Sequence, residues 1–334
     1  MQSRVARSTS RLVAGTIAAL VLAACSESAN VPTADRQIAP TEPERSVAEF
    51  NTTRHEFRTK EFYAKGGPSK PSSSTGIIYH GGTVITTATN VVAIYWGNPG
   101  FANLPSGAGG GSADNTLIGS FLRSLGGSPY FNINTTYYNA SGARVINAVN
   151  YNGYWNTTGS YAAPSTAPSD ADMINLVRSG IGSGTIAYDP NTVYAIFTGT
   201  GINLGGGFGS RYCAYHTRGT LADGRVFYYA AMPYNQQYPS ACTSGFTSPN
   251  ADVAANSEVN TLAHEIEETT TDARGDAWFD RRGYENADKC AWTWGTTKTA
   301  SNGGVYNMQL KDGKFYLVQR NWVNAGSGGC ASSY

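Results

Sequence analysis

The chain has 334 residues, with 24 Lys and Arg against 23 Asp and Glu, a net charge of +1. So even a balance leaves no clustered cationic surface for a nucleic-acid or other polyanion partner, whose binding rests on counterion release. Charged residues make up 14% and apolar ones 40%, with 39 Gly and 21 Tyr; this excludes a wholly disordered chain and favours strands and turns over long helices.

Met1–Arg11 carries Arg4, Arg7 and Arg11 and no acid, and an apolar run follows from Leu12 to Ala24. The run is too short to span a bilayer comfortably and reads as a signal peptide over residues 1–24. Leu22-Ala23-Ala24-Cys25 resembles the processing site of bacterial lipoproteins. That resemblance implies cleavage before Cys25, a lipid on its thiol, and a protein anchored to membrane in the bacterial cell envelope. Residues 25–75 are rich in Pro, Ser, Glu and Lys. They bury too little apolar surface to offset chain entropy and are expected to be a disordered tether.

From Gly76 the pattern changes to that of a folded domain over 76–334. Ile77-Ile78-Tyr79 and Thr83–Thr87 flank His80-Gly81-Gly82, which predicts a hairpin. Val91–Trp96, Val193–Phe197 and Arg225–Met232 are apolar runs of buried strands. Asn115–Leu125, Asp170–Arg178 with Ser169 as N-cap, and Val253–Thr271 have helical spacing. Strands and helices in this order predict an α/β (α+β) fold, a single mixed-sheet domain. The glycines of 199–209 lack phosphate-loop spacing and are expected to form a loop.

Besides Cys25 the chain has Cys213, Cys242, Cys290 and Cys330. In an exported protein four thiols predict two disulfides, with three connectivities open. Pairing Cys213 with Cys242 and Cys290 with Cys330 closes nearby segments, at ~3.5–4 kcal/mol each. A four-thiolate zinc site is the rival, but no pair has the close spacing it requires.

The strongest chemical signal is Thr261–Asp272. At about 100° per residue His264, Glu268 and Asp272 share a helix face, with Glu265 beside it and Val259, Leu262 and Ile266 opposite. An imidazole and a carboxylate one turn apart are suited to gripping a divalent ion. The segment H-E-x-x-E resembles the H-E-x-x-H helix of zincin metallopeptidases. The resemblance implies zinc on His264 and Glu268 and a general base at Glu265. The structural alternative leaves His264 a buried histidine and Glu267 and Glu268 solvated charges. A third ligand is open among Glu285, Asp288 and His216; the two acids would otherwise pair at the surface with Arg281, Arg282 or Lys289.

Tyr79-His80-Gly81-Gly82, Val91–Gly97, Tyr212-Cys213-Ala214-Tyr215-His216, and His264–Asp272 followed by Ala277-Trp278-Phe279-Asp280 and Glu285–Cys290 resemble the phosphate-induced protein 1, or exordium-like, family of plants and bacteria. The resemblance implies an extracellular or wall-associated protein and supplies no activity. Two functions are therefore expected from the residues: a zinc-dependent, peptidase-like envelope hydrolase, with Arg225–Met232 pairing an extended peptide, or a non-catalytic cell-wall or glycan-binding protein. The second would use Trp278, Phe279, Trp292, Trp294, Tyr306 and Trp322 as stacking surfaces.

Overall fold

The computed structural model describes residues 54–64 and 76–334. The expected signal peptide, the lipid-accepting Cys25 and most of the expected tether lie outside these residues. Within the tether, however, His55–Arg58 form a strand (β1) and Lys60–Ala64 a short helix (α1). Such a short segment is ordered because a sheet edge offers it unpaired backbone groups.

That sheet is built from β1, β3 (Thr89–Trp96), β4 (Ala108–Gly109), β5 (Val149–Asn156), β6 (Thr192–Thr198), β7 (Tyr212–Thr220) and β8 (Val226–Met232), in the order β1-β7-β8-β6-β3-β5-β4. The four central strands β8, β6, β3 and β5 are parallel, whereas β7, β1 and β4 join antiparallel at the two sides. Period-two alternation explains the continuous apolar runs. Val91, Ala93 and Tyr95 face one core with Val193, Ala195 and Phe197, while Val92, Ile94 and Trp96 face the other with Tyr194 and Ile196.

Helices cover both faces. α2 (Leu117–Leu125) and α5 (Val253–Thr271) pack on the first, α3 (Asp170–Gly182) on the second, and α4 (Pro239–Cys242) is a single turn. Ser169 caps α3 through a reciprocal capping box with Asp172, as expected. α5 is buried all round from Ser257 onward: Val259, Leu262, Ala263 and Ile266 sit against the sheet, while Glu258 meets Asn235 and Glu267 meets Asn321 on other sides.

The disulfides pair as expected, Cys213 with Cys242 and Cys290 with Cys330. They fit an extracytoplasmic protein. Two local expectations are corrected. Ile78–Tyr79 (β2) does not form a hairpin with Thr83–Thr87 but pairs with Trp278–Phe279 (β9), where Trp278 closes an aromatic cluster with Tyr79 and Tyr137. β8 is hydrogen-bonded on both sides, by β6 and β7, so it has no free edge for a peptide. β7 was legible only as a motif, because Thr217, Arg218 and Gly219 interrupt its apolar pattern.

Glu258 of α5 lies in this core and accepts hydrogen bonds from Asn235 N (2.9 Å) and Nδ2 (3.1 Å). Burial pushes its carboxyl up to about 8, against the pull of those donors. A folded-state pKa above that of the unfolded chain favours folding fully below pH ~4.3 and loses that effect as pH rises through about 8. Glu258→Gln is therefore expected to gain in melting temperature relative to wild type between pH 5 and 9. A relative stability independent of pH in thermal circular dichroism would contradict this placement.

Candidate metal centre

Three elements converge beneath the β1–β7 side of the sheet. α5 supplies His264, Glu265 and Glu268. β7 supplies His216, which lies two residues from Ala214 and so faces the same core as α5. The segment after β9 supplies Glu285 and Asp288, drawn in by the Cys290–Cys330 disulfide and by the Asp288 N–H, which donates to Glu268 Oε1 at 2.9 Å. Every candidate ligand and the candidate base Glu265 therefore meet in one buried place.

A further group joins them. His55 of β1 is the register partner of His216, stacks on its ring with centroids 4.9 Å apart, and has Nδ1 2.8 Å from Glu285 Oε2. Phe57, two residues on, stacks on the His264 ring at 4.0 Å. Three of the chain's four histidines thus share the centre. Sequence reasoning missed His55 because it lies in the supposed tether. The available signal was the alternation of His55 and Phe57 with the charged Glu56 and Arg58.

Three overlapping groups have donor atoms within 4.8 Å of one another: His264, Glu268 and Asp288; His216, Glu265 and Glu268; and His55, His216 and Glu285. In the first, His264 Nε2 is 3.0 Å from Glu268 Oε1 and 3.8 Å from Asp288 Oδ1. Tetrahedral zinc with bonds of ~2.0–2.1 Å separates its ligand atoms by roughly 3.3 Å, so the spacing fits. His264 Nε2 nevertheless has no hydrogen-bond partner, nor have His216 Nε2, Glu265 Oε1 and Glu285 Oε1. Side chains gathered this closely, with unpartnered nitrogens and oxygens among them, could hold a metal ion.

Electrostatics points the same way. Burial lowers His264 to about 4 and His216 well below the usual imidazole range, the latter helped by the other two histidines. Burial also raises Glu265, Glu268 and Glu285 well above the carboxylate range, and neighbouring carboxylates add to this for Glu265 and Glu285. Neutral imidazoles among carboxylates that resist ionising form a site lacking positive charge, which a divalent ion would supply.

The surrounding residues depart from expectation. Glu267 is buried, not solvated, and binds Asn321 on another side of α5. Asp272 is a cap, accepting from the Asp276 and Ala277 N–H groups at 2.7 Å. Lys289 pairs with Asp280 at 3.1 Å, while Glu285 turns inward to His55. Of the six proposed sugar-stacking rings, Trp278, Phe279 and Trp322 are buried, Trp292 packs on Phe57, Trp294 lies edge-on between Trp292 and Phe246, and Tyr306 stacks on Phe315. With three of the six buried, they do not make one exposed platform.

Fold and site define a mixed-sheet α/β domain with a buried histidine–carboxylate centre beneath its edge. The model of the phosphate-induced protein 1 conserved region matches residues 77–332, so the chain belongs to that family. No curated protein and no solved structure gives a significant match.

The tautomer of His264 provides a check. Gln319 Nε2 donates to His264 Nδ1 and to the Ala287 carbonyl, both at 2.9 Å, while Gln319 Oε1 is unpartnered. With Nδ1 accepting, the ring proton sits on Nε2. An ion on Nε2 moves the proton to Nδ1, and Gln319 must then turn its amide to accept it, giving up its bond to the Ala287 carbonyl. Saturating zinc is expected to convert His264 from the Nε2–H to the Nδ1–H tautomer in 15N-resolved imidazole spectra. Persistence of Nε2–H would place the ion elsewhere.

Proposed function

We propose that the chain is a zinc-dependent hydrolase of the cell envelope acting on peptide-like substrates, with His264, Glu268 and Asp288 as ligands and Glu265 as general base. The observation that carries this reading is the convergence of His264 Nε2, which has no hydrogen-bond partner, with carboxylate oxygens of Glu268 and Asp288 within 4.8 Å of one another. A mixed nitrogen and oxygen donor set suits zinc. When bound, the ion supplies Lewis acidity and acidifies a water at neutral pH. Glu265 has a buried oxygen, Oε1, with no hydrogen-bond partner and able to take a proton. Its Oε2 lies 3.3 Å from His216 Nδ1, which fixes the carboxylate's orientation. Leu262 and Ile266, packed on the sheet, hold the helix that carries both the base and two ligands.

Chelator-free purification is expected to yield bound zinc. Glu265→Gln should keep that zinc and lower hydrolysis of a fluorogenic peptide library by ~10²–10⁴-fold. Zinc binding with undiminished hydrolysis in the variant would refute Glu265 as the base. A protein free of zinc would refute the whole reading.

A second reading, a structural metal centre, is favoured by the burial of every ligand, with Asp288 the most accessible at 9%. It predicts that wild type holds zinc, hydrolyses nothing in the library, and loses melting temperature on chelation.

The envelope assignment also rests on Cys25 as lipid acceptor. Cys25→Ala is expected to move the protein from the membrane to the soluble fraction, and an unchanged membrane fraction would remove the anchor.

A further inference from the structure

The zinc reading uses His264, Glu268 and Asp288, and leaves unexplained why a third histidine is brought in from outside the matched residues. β1 lies upstream of residues 77–332, yet it completes the sheet edge and puts His55 directly against His216 and Glu285. The fit is close. A Cβ on Gly275, whose φ is +71°, would fall 1.9 Å from His55 Nε2, so the backbone there is bare where the ring sits. With Nε2 walled off, Nδ1 is the ring atom turned to Glu285.

We infer that His55, His216 and Glu285 form a second divalent-cation site, distinct from the His264 site, which fastens the upstream strand to the domain. His216 Nε2 and Glu285 Oε1 are fully buried, lack hydrogen-bond partners and lie 3.7 Å apart, and a ring nitrogen of His55 gathers with a donor atom of each residue within 4.8 Å. Two imidazoles and one carboxylate form a donor set suited to zinc, with a position open for a fourth ligand. The other nitrogen of His216, Nδ1, faces Glu265 Oε2 at 3.3 Å. With Nε2 on the ion, Nδ1–H donates to that carboxylate, the usual support of a ligating histidine. The three ligands come from β1, β7 and the segment before Cys290, so the ion ties together parts that are far apart in sequence. The inference concerns different ligand atoms from the hydrolase reading and stands whether or not that reading does.

The test is zinc stoichiometry on the full chain, stripped by chelator, dialysed and titrated, with elemental analysis and calorimetry as readouts. Wild type is expected to take up about two equivalents, His55→Ala about one, and His264→Ala about one. Wild type at one equivalent, lost in His55→Ala but kept in His264→Ala, upholds this site and removes the other. The inference is overturned if His55→Ala binds as much zinc as wild type, whatever that amount is, or if wild type binds none. Should His55→Ala fail to fold, His55→Gln keeps a side-chain donor toward Glu285 and is read in the same way. A thermal readout separates a clasp from a passive ligand set: zinc should raise the melting temperature of wild type more than that of His55→Gln, and equal shifts would overturn the fastening role.

Discussion

The centre depends on one constraint: carboxylates and imidazoles have been taken out of water together without enough positive charge to balance them. Glu265, Glu268 and Glu285 are each almost wholly buried, and the three histidines beside them are as well. Desolvation pushes the acids toward their protonated and the bases toward their neutral forms. An arrangement of this kind costs stability unless something compensates. The rest of the structure holds it in place: a sheet edge, a helix buried on all sides and a disulfide-bound segment press these groups together.

The same constraint explains α5. An ordinary surface helix shows one apolar stripe, but here residues on every side are covered, and the covering groups are polar where the helix is polar. Glu258 faces Asn235, Glu267 faces Asn321, and Thr269, Thr270 and Thr271 return their hydroxyls to the helix's own carbonyls. His264, Glu265 and Glu268 are the members of this set that also gather with Asp288 and His216 into groups of metal-ligating side chains. What distinguishes them from their neighbours is this gathering, not burial.

Much of this is legible in the sequence. α5 declares its boundaries, and β3 and β6 announce themselves as uninterrupted apolar runs because they are covered on both faces. The meeting of His264, Glu268, Glu285, Asp288 and His216 was readable as a candidate set, since helical spacing and a disulfide narrow where the acids can go. β1 was not. Four residues amid a Pro- and Ser-rich stretch carry too little local preference to specify a strand, and this one exists only through the unpaired edge of β7. His55 was lost with it. The Ile77–Thr87 hairpin failed for the complementary reason: its turn signal was genuine, but β9 offered Ile78 and Tyr79 better aromatic partners.

Phe57 rests on the cystine formed by Cys213 and Cys242 while its ring covers His264. The sulfur bridge is thus part of the floor beneath the residue that roofs the centre. A copy of the chain held in a reducing cytosol would have two separate thiols there and a looser seat for Phe57. The seat of Phe57 over the histidines is in this way coupled to an oxidised cystine, a bond that persists in oxidising compartments.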